Sequence, residues 1–202
     1  MINNNDGGHI ESANADAIHI EEIEGSVTVN NVGSMETIYG HWDGIDIENT
    51  ESFVAIDNTE GFITGENGQG IDLDDIDGTV TITNVDGMIV GGTDGIRVED
   101  TYNANEEAEV VPASVEANAE VVVEEHEGGG PPAEHEEEPF DPNTYEGDGA
   151  YVIVNNIGGT IVGLTDDAIH AEEIDGTVAV FNEGGVIDGA DDGIRVKESE
   201  GG

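Results

Sequence analysis

The sequence lacks cysteine, and it has little positive charge, few aromatic residues and no long apolar run. Without cysteine the chain has no disulfide, no thiolate nucleophile and no cysteine-ligated zinc site. Only 3 residues are Lys or Arg against 48 Asp or Glu, so the formal charge of the 202-residue chain is −45. A surface this negative repels phosphate, which argues against nucleic acid or an anionic membrane as partner. Because no stretch approaches the roughly 18 apolar residues of a membrane span, we expect no membrane insertion.

The remaining composition favours an elongated aliphatic core. An aromatic content of 4% and a hydrophobic content of 36% argue against a large spherical core. High net charge with weak hydrophobicity is typical of disorder, but the Ile and Val residues are spaced too regularly for a disordered chain. The N-terminal residues include neither a basic nor an apolar segment, so we expect no signal peptide in this chain.

Two short patterns alternate along the chain and define an internal repeat. The first is Val-x-(Ile/Val)-x-Asn-x-x-Gly-x-Ile-x-Gly, with lapses, and its Asn falls at positions 31, 58, 84, 156 and 182. The second is (Asp/Gln)-(Gly/Ala)-Ile, followed two positions later by an aliphatic residue or Ala. The Asn positions are 27, 26, 72 and 26 apart, so one unit is about 26 residues long.

Each unit predicts one coil of an all-β solenoid. Alternation of apolar and polar residues over three to five positions indicates short strands with one buried face. Three such strands per unit place each inward residue about 4.8 Å from its equivalent in the next coil. The core is therefore predicted to consist of aliphatic columns. One of these columns contains Ile18, Ile45, Ile71, Ile96, Ile169 and Ile194.

The recurring Asn of the first pattern has two structural interpretations. The stacked side-chain amides can bond from coil to coil and form a ladder inside a turn. Alternatively, Asn occurs there because it tolerates the left-handed backbone conformation that a turn requires. Neither interpretation implies a catalytic or ligand-binding role for the Asn residues.

The repeat divides the chain into three parts. Residues 1–100 and 149–202 carry the patterns and are predicted to form coils of the same solenoid. Residues 101–148 lose the patterns and form an acidic insertion rich in Gly, Pro and Glu, which is either a loop or contains extra strands. The chain stops in mid-coil, so we expect it to be a piece of a larger repeat protein or to end in a docking surface.

The patterns Val-x-Ile-x-Asn-x-x-Gly-x-Ile-x-Gly and Asp-Gly-Ile-x-Val resemble the degenerate repeats of autotransporter passengers and related secreted bacterial repeat proteins. The resemblance covers about residues 1–100 and 149–202. It implies a right-handed parallel β-helix with one acidic insertion, and an extracellular or cell-surface location. It does not imply one activity, because such passengers include adhesins, surface fibres, hydrolases and inert stalks.

Acidic residues follow the second pattern in register from coil to coil, and they are the candidate metal ligands. Like charges about 4.8 Å apart repel by roughly 1 kcal/mol per pair in water. Either salt screens them or divalent cations bridge them, and Ca²⁺ prefers such hard oxygen ligands. The predicted ligands are Glu21, Glu48, Asp74, Asp75, Glu99, Asp100 and Glu172. The alternative is a solvated acidic face that only keeps the surface soluble.

Two of the six histidines, His19 and His170, occupy an outward position between two inward residues of a strand. Their equivalents in the other coils are Asp46, Asp72, Arg97 and Arg195. We therefore expect this column to be exposed and variable. We expect a transition-metal role at either histidine to need a second histidine nearby, and the sequence cannot place one.

We expect a structural or adhesive module rather than an enzyme: a filament subunit or an adhesin stalk segment, stabilised by calcium. Unpaired strand edges at the coil ends predict end-to-end self-association, and cell-surface or matrix glycans are further expected partners. The alternative is a carbohydrate-active β-helix enzyme, either a polysaccharide lyase or a glycosidase. An open groove lined by Trp42, Tyr39 or Tyr102 beside paired acids favours the enzyme. Smooth acidic faces with bare apolar coil ends favour the structural module.

Overall fold

The structure is a computed structural model that describes residues 1–5, 7–102 and 150–198. Within these ranges all regular secondary structure is β-strand, and no helix is long and apolar enough to cross a membrane. The described strands belong to one compact unit formed by 1–106 and 148–202. Of the predicted insertion 101–148, only Thr101 and Tyr102 are described, and both belong to a strand. The other residues of the insertion, up to 148, lie outside the described ranges. The prediction that the insertion is a loop or contains extra strands therefore falls outside them as well.

The described strands form three six-stranded parallel sheets, and each sheet takes one strand from every coil. Sheet A contains β1 (Ile2–Asn5), β4 (Val27–Val32), β7 (Val54–Thr59), β10 (Val80–Val85), β13 (Ala150–Ile157) and β16 (Gly176–Glu183). Sheet B contains β2 (His9–Ser12), β5 (Thr37–Gly40), β8 (Phe62–Gly65), β11 (Met88–Gly91), β14 (Thr160–Gly163) and β17 (Val186–Gly189). Sheet C contains β3 (Ile18–Ile23), β6 (Ile45–Thr50), β9 (Ile71–Asp77), β12 (Ile96–Tyr102), β15 (Ile169–Ile174) and β18 (Ile194–Lys197).

Each coil consists of one strand from sheet A, one from sheet B and one from sheet C, in that order along the chain. Coil 1 is β1 to β3, coil 2 is β4 to β6, and coil 6 is β16 to β18. The predicted all-β parallel solenoid, with about six coils roughly 26 residues apart, is confirmed. Its right-handed sense stays a prediction, supported by the strong preference of parallel crossover connections for that hand.

The predicted core columns are confirmed residue by residue in the strand register. Ile45 pairs with Ile18 on one side and with Ile71 on the other, and the column continues through Ile96 to Ile169. From Ile45 to Ile169 these side chains are at most 1% exposed. Each fully buried aliphatic side chain stabilises the fold by about 1.5–3 kcal/mol. The contact between neighbouring coils therefore supplies the stability that no single coil has alone.

The recurring Asn forms the predicted ladder. Nδ2 of Asn31 donates to Oδ1 of Asn58 at 2.7 Å, and Asn58 donates in the same way to Asn84 at 2.8 Å. Equivalent bonds continue the ladder from Asn4 at one end to Asn182 at the other. None of these residues has a left-handed backbone conformation, so the alternative interpretation of the recurring Asn is wrong.

The glycine three residues after the ladder Asn is required by space. A Cβ atom on Gly61 would lie 2.3 Å from Nδ2 of Asn31 and 2.8 Å from Oδ1 of Asn58. Side-chain atoms do not approach each other this closely, so any larger residue displaces the ladder. The Asn and the Gly of the first pattern are thus two parts of one buried structure.

Candidate functional site

Charged side chains concentrate on the outer face of sheet C and near the C-terminal ends of its strands. This surface, the sheet C charged face, has three rows that run along the stack with one residue per coil. Row 1 contains His19, Asp46, Asp72, Arg97, His170 and Arg195. Row 2 contains Glu21, Glu48, Asp74, Glu99, Glu172 and Lys197. Row 3, near the C-terminal end of each strand or, in coil 6, directly after it, contains Glu22, Asn49, Asp75, Asp100, Glu173 and Glu198.

Row 1 forms ion pairs along the stack. Nδ1 of His19 lies 2.6 Å from Oδ2 of Asp46, and Nη1 of Arg97 donates to both carboxylate oxygens of Asp72 at 3.0 and 3.1 Å. The prediction that this column is exposed is wrong for Asp46, which is only 8% exposed, and every other member except His19 is half-buried. Pairing between neighbouring coils compensates the cost of withdrawing these charges from water.

All three Lys and Arg residues of the chain lie on the sheet C charged face, in coils 4 and 6. Arg97 also donates to Glu99, through Nε at 2.8 Å and through Nη2. Lys197 donates to Glu172 at 3.0 Å, and Arg195 lies 3.6 Å from each of two carboxylates. Coils 1 to 3 contain no Lys or Arg at all. The acidic row is therefore compensated by side-chain cations only toward the C-terminal end of the stack.

Four carboxylates of coils 2 and 3, Asp43, Asp46, Glu48 and Asp72, bind protons more tightly than free carboxylates do. Burial raises the pKa of Asp72 to about 7, although Arg97 acts in the opposite direction. Burial also raises the pKa of Asp43 to about 6, despite a backbone hydrogen bond to its side chain. The pKa values of Asp46 and Glu48 are raised as well, in both cases mainly by burial. This part of the face therefore favours uptake of protons or of other cations.

Three of the predicted metal ligands, Asp74, Asp75 and Asp100, form one cluster near the C-terminal ends of the neighbouring strands β9 and β12. One carboxylate oxygen of each lies within 4.8 Å of the other two. Oδ1 of Asp74 is shielded from solvent and accepts no hydrogen bond from the described residues. Burial, followed by the charges of Asp75 and Asp100, raises the pKa of Asp74. The arrangement offers several oxygen ligands to a divalent cation, as Ca²⁺ requires.

The other predicted ligands separate into two groups. Glu99 and Glu172 are brought together around His170, within 4.8 Å of one another. Glu21 and Glu48 are neighbours in register on adjacent strands, but among the described residues they belong to no such cluster. Binding of metal by any of these residues stays a prediction.

Row 3 has a backbone conformation that the sequence did not indicate. All six residues are left-handed, with φ between 49° and 56°. This conformation costs a non-glycine residue about 1 kcal/mol or more, and Asn or Asp tolerates it better than Glu. Five of the six are nevertheless acidic. The stack thus keeps one strained non-glycine residue per coil at a position where glycine would be more stable, and this residue is acidic in every coil except coil 2.

An open groove of about 460 Å³ lies beside row 3. Tyr102 lines it, and its hydroxyl donates to Asp100 at 3.1 Å, a bond that raises the pKa of Tyr102 to about 12. Neither Tyr39 nor Trp42 is among the lining residues; the Trp42 ring instead contacts His41 edge-on at 5.4 Å. The other lining residues are Glu22, Ile23, Glu24, Asn49, Thr50, Glu51, Asp75 and Asp77.

A ladder of aspartates was not predicted, although its members stand in the second pattern. Oδ1 of Asp16 accepts the backbone amide of Asp43 in the next coil at 2.9 Å. Oδ1 of Asp94 accepts the backbone amide of Asp167 in the same way at 3.1 Å. The recurrence of Asp directly before Gly or Ala was the available indication, because a carboxylate at a turn commonly accepts backbone amides.

Comparison of the chain with protein-family models, with curated proteins and with solved structures found no match. The strands define the class, which is a parallel β-solenoid of about six coils.

Proposed function

We propose that the chain is a structural or adhesive module of an extracellular fibre or adhesin stalk, and that it extends by stacking further coils on its ends. The open apolar face of coil 6 is the observation that carries this proposal. Ile194 and Val196 are 46% and 44% exposed, although they continue columns in which Ile96 and Val98 are fully buried. Among the described strands, β16, β17 and β18 each have a paired neighbour on one side only. Open columns and unpaired edges are a template for another coil.

The charge distribution favours contact at the ends over contact at the sides. The formal charge of −45 makes the sides of two molecules repel each other. Two of the three cations, Arg195 and Lys197, lie in coil 6. If coil 1 of a second copy continued the register of sheet C, Glu21 would lie beside Lys197 and Ile18 beside Ile194. Such a contact joins two different surfaces, so it extends into filaments rather than closing into a dimer.

The extracellular location and the glycan partners rest on the resemblance of the two repeat patterns to autotransporter passengers. The same resemblance covers adhesins and stalks, whose function is to present a long, stiff surface. An acidic solenoid with ion-paired sides is suited to that task, because it stays soluble while its ends remain apolar.

Self-association of the full chain tests the proposal. Sedimentation velocity and light scattering, with Ca²⁺ and salt present, should show association that increases with protein concentration. Ile194→Glu places a charge in the open column and should abolish the association. Phe62→Glu is the matched control, because Phe62 is 40% exposed but lies in the middle of the stack. A wild-type chain that stays monomeric at high concentration contradicts the proposal, as does association of Ile194→Glu equal to that of the wild type.

We also infer that calcium stabilises the folded module through Asp74, Asp75 and Asp100. The support is the solvent-shielded Oδ1 of Asp74, which lacks a hydrogen-bond donor, beside two further carboxylates within 4.8 Å. Calcium would supply the positive charge that the acidic coils lack among their own side chains.

The groove beside row 3 favours a second candidate, a carbohydrate-active enzyme. It combines an aromatic side chain, Tyr102, with several carboxylates, which is the combination expected for a glycosidase cleft. A release assay on neutral and acidic polysaccharides tests this candidate. Activity lost in Tyr102→Ala would support it, whereas inactivity on both classes of polysaccharide would count against it.

A further inference from the structure

We propose that Asp94, Asp167 and His170 form a binding site for one transition-metal ion of the zinc class, separate from the Asp74–Asp75–Asp100 cluster. Asp94 directly precedes the Gly before β12, Asp167 holds the equivalent position before β15, and His170 lies within β15. The site therefore joins two neighbouring coils. One ligand atom from each of the three residues lies within 4.8 Å of the other two.

The side chain of Asp167 is the observation that points to a ligand. The residue is fully buried, and its Oδ1 accepts the backbone amide of Asp192 at 2.9 Å. Its Oδ2 is also buried and accepts no hydrogen bond within the described part of the chain. Two basic groups face Oδ2 without reaching it: Nδ1 of His170 at 3.5 Å and Nη1 of Arg195 at 3.6 Å. A buried carboxylate oxygen without a donor is strongly unfavourable, and a bound cation removes that penalty.

The partner of Nε2 in the His170 ring determines whether Nδ1 offers Asp167 a proton or a lone pair. Nε2 lies 3.1 Å from Oε2 of Glu172, which also accepts a hydrogen bond from Lys197 at 3.0 Å. Because a carboxylate accepts, Nε2 carries the proton, and Nδ1 of the neutral ring presents a lone pair. A carboxylate on the far nitrogen is the usual partner of a metal-binding histidine, since it orients the ring and makes it a better ligand.

The spacing of the two facing atoms fits a tetrahedral ion. Ligands about 2.0–2.1 Å from Zn²⁺ at tetrahedral angles lie about 3.4 Å from each other. Nδ1 of His170 and Oδ2 of Asp167 are 3.5 Å apart, whereas a hydrogen bond between them would need an approach about 0.5 Å closer. Asp94 is 5% exposed and uses Oδ1 for a backbone amide, so its second oxygen is the third ligand. Imidazole among the ligands favours zinc over calcium.

Coil 1 contains the same Asp-Ala-Ile-His sequence in a different environment, and it supplies the matched control. Nδ1 of His19 lies 2.6 Å from Oδ2 of Asp46, so a closed hydrogen bond occupies the position of the metal. The side chain of His19 is 47% exposed, against 12% for His170. Arg195 stands in coil 6 where Asp46 stands in coil 2. The two histidines therefore test buried and exposed versions of one motif within a single chain.

The experiment is a titration of the full chain, without a polyhistidine tag, with Co²⁺ and then Zn²⁺ in excess Ca²⁺. We expect one Co²⁺ per chain with the visible absorption of a tetrahedral site, and displacement by Zn²⁺. Asp167→Asn keeps the oxygen that accepts the Asp192 amide but weakens the ligand, and His170→Ala removes one. Each should reduce zinc affinity at least about tenfold, whereas His19→Ala should leave it unchanged.

Circular dichroism of each variant separates loss of a ligand from loss of the fold. The proposal is overturned if no tetrahedral Co²⁺ absorption appears. It is also overturned if folded Asp167→Asn or folded His170→Ala binds zinc as tightly as the wild type. Nitrogen chemical shifts of His170 give an independent readout: Zn²⁺ should shift Nδ1, and a doubly protonated ring that does not respond to Zn²⁺ would mean that a proton holds the position instead.

Discussion

Asn58 and Asn84 join two neighbouring coils through a hydrogen bond of 2.8 Å between buried side-chain amides. Asn58 also donates to the backbone carbonyl of Gly61 at 3.1 Å, so both protons of its amide are used. Asn58→Ala removes these bonds and leaves Oδ1 of Asn84 buried without its donor. We expect a decrease in the free energy of unfolding of about 2–3 kcal/mol, measured by urea denaturation.

Asn30→Ala is the control for this prediction. Asn30 precedes the ladder residue Asn31, and its amide bonds Asn3 at the surface. Its removal should change stability by less than about 0.5 kcal/mol. Equal losses in the two variants would mean that the ladder contributes no more than a surface contact.

Gly61 and Gly25 should respond in opposite ways to replacement by alanine. A Cβ on Gly61 meets the ladder amide of Asn31 at 2.3 Å, so Gly61→Ala should destabilise the fold by about 1–3 kcal/mol. A Cβ on Gly25 meets no heavy atom within 4 Å. Gly25→Ala should be neutral or stabilising by up to about 1 kcal/mol, because it restricts the unfolded chain. Similar denaturation midpoints for the two variants would argue against the steric explanation.

Asp72 should make the protein less stable as the pH rises toward neutrality. Its folded-state pKa of about 7 lies above the ordinary value of 3.8. Between these values the folded state holds a proton that the unfolded state has released, so stability is greatest at the acidic end of the window and decreases as pH rises. The raised pKa values of Asp43, about 6, and of His19 act in the same direction.

Urea denaturation from pH 5 to pH 8 at constant ionic strength, with chelator present, measures this effect. Asp72→Asn should flatten the profile by on the order of 2 kcal/mol. Asp188→Asn removes the same charge from an exposed position of β17 and controls for net charge. If the ion pair with Arg97 outweighs burial, stability will instead rise with pH, and the prediction is wrong.

Calcium should stabilise the folded chain through Asp74, Asp75 and Asp100. An ion bound only by the folded form contributes about 2.7 kcal/mol at a concentration 100 times its dissociation constant. Chelation at low ionic strength should therefore lower the melting temperature, and millimolar Ca²⁺ should restore it. Asp100→Asn removes a ligand and should weaken the response, whereas Asp188→Asn removes the same charge from an exposed position outside the clusters found among the described residues and should keep it.

Sodium chloride of equal ionic strength separates binding from screening in this experiment. Screening depends on ionic strength and not on the identity of the ion. If sodium restores the melting temperature as well as calcium does, salt only screens the acidic residues of rows 2 and 3, and the prediction of calcium binding is wrong.

The fold was predictable because one spacing determines the contacts between coils. Once Asn31, Asn58 and Asn84 are recognised as equivalent, residues one coil apart must be neighbours about 4.8 Å away. The same rule placed Ile45 between Ile18 and Ile71, and β-branched residues at alternating positions indicated strands. Residues 101–148, which lack the two repeat patterns, gave no comparable indication of strands or of contacts between coils.

The candidate site was only partly predictable for the same reason. Equivalence of coils placed Asp75 next to Asp100, but it contains no information on which cation reaches which carboxylate. The burial of Asp46 follows from its pair with His19, which depends on side-chain geometry rather than on spacing. The left-handed backbone conformation of Glu22 was not predicted, because glutamate is not a residue type that usually adopts that conformation.

Every amide of the Asn ladder donates toward the C-terminal coil, from Asn4 to Asn31 at the start and from Asn156 to Asn182 at the end. The ladder is thus a line of aligned dipoles whose acceptor end is Asn4 and whose donor end is Asn182. Two molecules that met with their first coils would bring acceptor groups face to face and would run their strands in opposite directions. Growth by coil stacking is therefore vectorial: a fibre built in this way has two chemically different tips, and blocking one tip stops growth in one direction only.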